Sequence, residues 1–257
     1  MNTIESLELF VRNYYLEYDV KTSYGKINFI YDYKSLKKYN ISKRINLPKN
    51  IVTDLDKIVY CLKWYNENLN YKGRPIEENI YDNYSWIKLI KIVKKEKLTL
   101  NCRYKTMLFT QLLISLGFKA RFVRCLPYEI MSHERHCVTE VFINELNKWI
   151  IVDSTFGIIY FDKYGNPLNL YEFRWLLLSS EKIRFFVKNK EDYYNIISMW
   201  RKHIFRFQYF LYNGDKMLEY KSQRYIILNP LNYLSKCELR YSEKNIYNNI
   251  DSISDLY

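Results

Sequence analysis

The chain has 257 residues, 48% hydrophobic and 18% aromatic, enough to bury the core of one large domain, and its 40 Lys and Arg against 28 Asp and Glu leave a net charge of +12. Six glycines, five prolines and no internal repeat exclude collagen-like, low-complexity and solenoid architectures, and no window approaches the ~18 apolar residues of a membrane span. The charge invites an anionic partner, but the lysines are scattered, and the densest runs, KIVKKEK (91–97) and RKHIFRFQ (201–208), form no recognisable nucleic-acid module, so nucleic acid is not the expected partner.

Ile4, Leu7, Leu9, Phe10 and Tyr14 recur at near-helical spacing between Thr3 and Tyr18. No basic region followed by an unbroken apolar stretch opens the chain, so no secretory signal is expected. KTSYGKINFIYDY (21–33) reads as extended. TDLD at Thr53 offers a capping hydroxyl with an acid three residues on, and Leu55, Ile58, Val59, Leu62 and Leu69 supply the apolar stripe of the helix that follows. Gly73 and Pro75 interrupt the pattern. Ser85 then caps a helix through Trp86, Leu89, Ile90 and Val93.

The clearest helix is NCRYKTMLFTQLLISLGFKAR, with Asn101 at the cap, Cys102 in the first turn and Gly117 where a left-handed C-terminal residue belongs. Three strand-like runs follow, at 121–126, 137–143 and 148–153, the last two joined by the turn NELN (144–147). A Gly-Asn-Pro turn leads into a helix near Leu170, a further helix spans about 191–205, and FRFQYFLYNG and RYIILNP read as strands. Helices, then a helix opening with Cys, then an antiparallel meander make the class α+β. Five cysteines, an odd number without a CxxC pair, argue against a disulfide framework and for a reducing cytoplasm.

A thiol nucleophile needs a lowered pKa, a base within hydrogen-bond reach and a group that orients the base. Cys102 sits at a helix N-terminus, where free backbone N–H groups favour a thiolate. His136 heads a strand and Asp153 ends its hairpin partner; counting back from the turn, residues near 138 pair with those near 153. Taken singly, each has a plainer reading: Cys102 as a small buried hydrophobe, His136 as a surface or satisfied histidine, Asp153 as a turn or cap residue. Glu140 is either a strand residue facing solvent or a support for the site. His133, His136 and Cys137 in HERHC offer a zinc alternative, but His136 and Cys137 are adjacent on a strand and point to opposite faces, so no metal or other cofactor is expected.

The stretch NCRYKTMLFTQLLISLGFKARFV followed by HCVTEVFINELNKWIIVDST resembles the transglutaminase-like superfamily. Cys102 falls on its nucleophile, Leu112, Leu113, Leu116, Gly117, Ala120 and Arg121 on its LLxxLGxxAR continuation, His136, Glu140 and Val141 on its HxWxEV strand, and Trp149, Val152, Asp153 and Thr155 on its WxxVDPT-type strand. The chain departs from the pattern at Leu100, Val138 and Ser154, where the family often has Gly, an aromatic residue and Pro. The resemblance implies a papain-like α+β fold with the Cys helix packed on an antiparallel sheet, and a Cys-His-Asp triad. The domain organisation expected is a catalytic core over 51–180, a helix and strand extension over 1–50, and an α/β extension over 181–257 packed on the core. The reaction implied is acyl transfer or hydrolysis at a Gln, Asn or peptide amide of a protein or peptide, through a thioester. The Cys102 backbone N–H, with Trp64 as the side-chain candidate, would form the oxyanion hole. Two other readings stand beside it: a catalytically silent papain-like scaffold, and a basic adaptor binding polyanions through the segments after residue 180.

Overall fold

A computed structural model describes residues 27–39, 41–69, 75–76, 81, 84–127, 133–186, 189–215, 224–229 and 249–250. The helix expected over 3–18 and Cys237 lie outside them, as does Gly73.

Among the described residues of the extended run expected over 21–33, β1 (Ile30–Tyr31) is strand, and Asp32 then caps a short helix, α1 (Tyr33–Lys37), by accepting from Ser35 N at 3.0 Å. A second short helix, α2 (Ile41–Ile45), precedes α3 (Asp54–Leu69), whose start is held as its sequence predicts: Asp56 N donates to Thr53 Oγ1 at 3.1 Å. Ser85 caps α4 (Trp86–Glu96), and Asn101 caps α5 (Cys102–Ser115) by accepting from Tyr104 N at 3.0 Å. Gly117 ends α5 at φ +98°, a conformation that costs a residue without a Cβ nothing.

The strands β2 (Ala120–Leu126), β3 (His136–Ile143) and β4 (Lys148–Asp153) form the expected meander. They join β5 (Ile158–Ile159), β6 (Arg206–Phe210), β8 (Tyr225–Leu228) and β9 (Asn249–Ile250) in one sheet of order β5-β4-β3-β2-β6-β8-β9, antiparallel except for β8 with β9. The run 205–214 splits, its second part becoming β7 (Tyr212–Asn213), which pairs in parallel with β1. With β3 on one side and β6 on the other, β2 is central, and all seven of its residues are buried.

Alternation along the strands divides the core. Phe122, Cys137, Val141, Ile150 and Val152 face one layer with Leu108, Leu112 and Trp86 of the N-terminal helices. Val123, Cys125, Val138 and Ile151 face the other, which α6 (Leu170–Leu178) and α7 (Lys190–His203) cover with Phe173, Leu177, Ile196 and Trp200. The fold is α+β, a largely antiparallel sheet with helices on both faces. No helix among the described residues is long and apolar enough to cross a membrane.

Candidate active site

The start of α5 lies against the start of β3. Thr106, one turn beyond Cys102 on the same helical face, donates to the Cys137 carbonyl at 2.9 Å, and Thr110, a further turn on, shares a 2.8 Å hydrogen bond with Thr139. This ladder sets the Cys102 side chain over the head of the strand, where its thiol reaches the Arg135 carbonyl at 3.7 Å. Cys102 keeps partial exposure, and its backbone N–H has no partner among the described residues.

The hairpin register pairs Thr139 with Val152, so His136 and Asp153 stand together at its open end. His136 Nε2 and Asp153 Oδ2 are 2.8 Å apart, with His136 4% exposed and Asp153 fully buried. The other carboxylate oxygen, Oδ1, accepts from Thr155 N at 2.9 Å and Phe156 N at 3.3 Å in the turn that follows β4. With Nε2 engaged by Asp153, Nδ1 is the ring nitrogen left to face the Cys102 thiol. The aromatic walls are Phe156, stacked on the imidazole at 5.6 Å and itself 44% exposed, and Trp200 of α7, edge-on at 5.0 Å.

The electrostatics follow from this packing. A hydrogen bond from the Cys137 thiol is the largest influence on Cys102; burial opposes it, the His136 hydrogen bond and charge add to it, and the thiol is brought down to about 4. Burial disfavours charge on His136, but Asp153, by charge and hydrogen bond, and then Cys102 outweigh it and hold the imidazole up to about 10. Cys137 itself is pushed well above an ordinary thiol, by burial first and then by Cys102, so it stays protonated and able to donate. At neutral pH the site therefore holds a thiolate beside an imidazolium.

The structure thus brings Cys102, His136 and Asp153 together. It does not bring Trp64 to them: the Trp64 ring lies on α3 with the Lys94 ammonium of α4 5.9 Å from its centroid, and no described contact joins it to Cys102. Nor do the described residues gather three His, Cys, Asp or Glu side chains into a metal cluster. Cys137 does lie on the face opposite His136, as alternation requires, yet the Cys102 thiol touches both, because it sits at the end of the strand where the two faces meet. In the sequence Cys137 enters only through the zinc alternative. The pattern of a thiol one residue after the histidine was the available signal, and only the helix-to-strand register shows where that thiol points.

An α+β fold with a thiol at a helix start, behind it an imidazole and then a carboxylate, is the arrangement of cysteine enzymes of the papain-like kind. Residues 40–154 match the family model described as Transglutaminase-like superfamily, so this part of the chain is similar to that superfamily. A structure of a proposed cysteine protease from Cytophaga hutchinsonii is similar at 20% identity and a TM-score of 0.33, over 48% of this chain and 37% of that one. No curated protein matches the chain.

Proposed function

We propose that the protein is a cysteine-dependent enzyme acting on a Gln, Asn or peptide amide of a protein or peptide, with Cys102, His136 and Asp153 as its triad. The observation that carries this reading is the Cys102 thiol at the start of α5, set over the head of β3, where His136 is anchored at 2.8 Å to a fully buried Asp153.

In this mechanism the Cys102 sulfur attacks the amide carbonyl carbon, and the carbonyl electrons move to oxygen, which the free Cys102 N–H stabilises. As the tetrahedral intermediate collapses, the imidazolium gives its proton to the departing nitrogen, releasing an amine or ammonia and leaving a thioester. Now neutral, His136 takes a proton from water or a second amine as it attacks the thioester, and Cys102 leaves as thiolate. Water gives hydrolysis; an amine gives a crosslink. Between the two we favour hydrolysis on family breadth. No described contact supports Trp64 as a second oxyanion donor, so the Cys102 amide alone is assigned that role. The domain division proposed remains a core over 51–180 with extensions over 1–50 and 181–257, and the compartment proposed is the reducing cytoplasm, where the thiol survives.

Alkylation tests the reading. At about pH 6, where an ordinary thiol is almost wholly protonated, Cys102 reacts with iodoacetamide far faster than free cysteine, and His136→Ala narrows the difference. Equal rates for Cys102 and free cysteine, unchanged by His136→Ala, overturn it. Mass mapping of a peptide library then separates cleavage, deamidation and crosslinking.

A further inference from the structure

Asp153 Oδ2 receives a second hydrogen bond that the triad does not explain. Tyr160 OH lies 3.3 Å from it, and Trp200 Nε1 lies 2.7 Å from the same phenol oxygen. The direction of this chain is forced. An indole N–H can only donate, so the Tyr160 oxygen accepts from Trp200 and its own proton is free to go to Asp153. Both side chains are fully buried, and both lie beyond the transglutaminase-like segment, Trp200 on α7.

We propose that Tyr160, with Trp200 behind it, is a positioning residue for the site: it donates to the carboxylate oxygen that accepts from His136, and through it helix α7 becomes part of the catalytic machinery. The inference rests on the triad reading above. The carboxylate that anchors the imidazolium must not anchor it too well, since His136 gives up its proton in each turnover. A neutral donor on the same oxygen takes up part of the carboxylate's charge and fixes its rotation. The indole N–H strengthens that donation by polarising the phenol, as hydrogen-bonded chains do in a dry interior. Burial keeps the phenol protonated, so it donates across the working range.

The packing is consistent with a positioning function as well as a structural one. Trp200 meets His136 edge-on at 5.0 Å and Tyr160 at 5.8 Å, while Phe173 of α6 closes on Tyr160 at 4.6 Å, so the relay lies behind the triad and is sealed from water. The other titratable groups around the pair are Cys102 and Lys105 of α5, Cys125 of β2 and His203 of α7. None of these is changed by the variants below.

The experiment is the pH profile of Cys102 alkylation in the full chain, for wild type, Tyr160→Phe and Trp200→Phe, with His136→Ala and Asp153→Ala as controls. Tyr160→Phe moves the basic limb of the profile upward by about one pH unit, since a hydrogen bond to a charged group is lost. Trp200→Phe moves it in the same direction by less, and the proton resonance of the His136–Asp153 hydrogen bond shifts downfield in both. If wild type lacks a His136-dependent profile, the triad reading itself fails. If wild type has that profile and both variants reproduce it, with only their unfolding midpoints lowered, Tyr160 and Trp200 are packing alone and the inference is overturned.

Discussion

The Arg121 guanidinium and the Glu140 carboxylate pair inside the sheet, with Nε 2.9 Å and the nearer terminal nitrogen 2.8 Å from Glu140 Oε2, both side chains being about 1% exposed or less. The other Glu140 oxygen accepts from Leu170 N at 3.3 Å, tying β3 to the start of α6, and the guanidinium carbon lies over the Trp149 ring, 4.0 Å from its centroid. Removing one partner of such a pair leaves a buried charge without its counter-charge, so Glu140→Ala is expected to cost about 3–5 kcal/mol, read from the urea midpoint at constant slope. The double variant Arg121→Met, Glu140→Leu recovers most of that loss. A single-variant loss below about 1 kcal/mol would show that water reaches the pair.

Cys137 gives a second expectation. Its thiol supplies the largest influence lowering the Cys102 thiol, so Cys137→Ala moves the acid limb of Cys102 alkylation upward by about one pH unit. Cys137→Ser, which keeps a donor, moves it less. An unmoved limb in Cys137→Ala would assign the lowered thiol to His136 alone.

Stability should carry the same pair. The folded imidazole lies above its ordinary 6.5, so its contribution is complete below 6.5 and is lost as the pH rises through about 10. The folded Cys102 thiol lies below its ordinary 9.0, so its contribution is complete above 9.0 and is lost as the pH falls through about 4. Thermal unfolding of wild type and Cys102→Ala across this range tests both, the difference between them narrowing toward the acid end. A gap that stays constant to below pH 4 contradicts a thiolate in the folded protein.

Gly157 closes the turn whose amides hold Asp153, at φ +73°, and a Cβ there would come within 2.5 Å of the Asn66 amide nitrogen. Asn66 can swing aside, but the left-handed backbone costs a residue with a Cβ about 1–2 kcal/mol. Gly157→Ala is expected to lose that much stability and to slow Cys102 alkylation by loosening the turn. Gly117→Ala, at φ +98° with nothing within 4 Å of the added carbon, is the matched control: a similar loss of stability with the alkylation rate unchanged.

Much of the site was legible because it is local. The α5 cap and its first turn, the β3–β4 hairpin and the placing of His136 beside Asp153 follow from helical and strand periods and one turn, and the structure reproduces them. What was hidden depends on pairing between distant segments. Glu140 could not be assigned to solvent or core until Arg121, on the neighbouring strand, and the start of α6 closed over it. Likewise β6 gives no sign in its own residues that it lies beside β2, and α7 none that its tryptophan ends against His136. No described contact joins Trp64, the side-chain candidate for the oxyanion hole, to Cys102; its ring lies by Lys94.

The central place of β2 has a temporal consequence. On one edge it pairs with β3, which follows almost at once in the chain; on the other it waits for β6, made only after α6 and α7. Short-range pairings form before long-range ones, so during synthesis the thiol helix and its hairpin can assemble while the wall behind them is still missing. A nascent chain at that stage has Cys102 and His136 in place but its imidazole open to water, and arrival of α7 dries it.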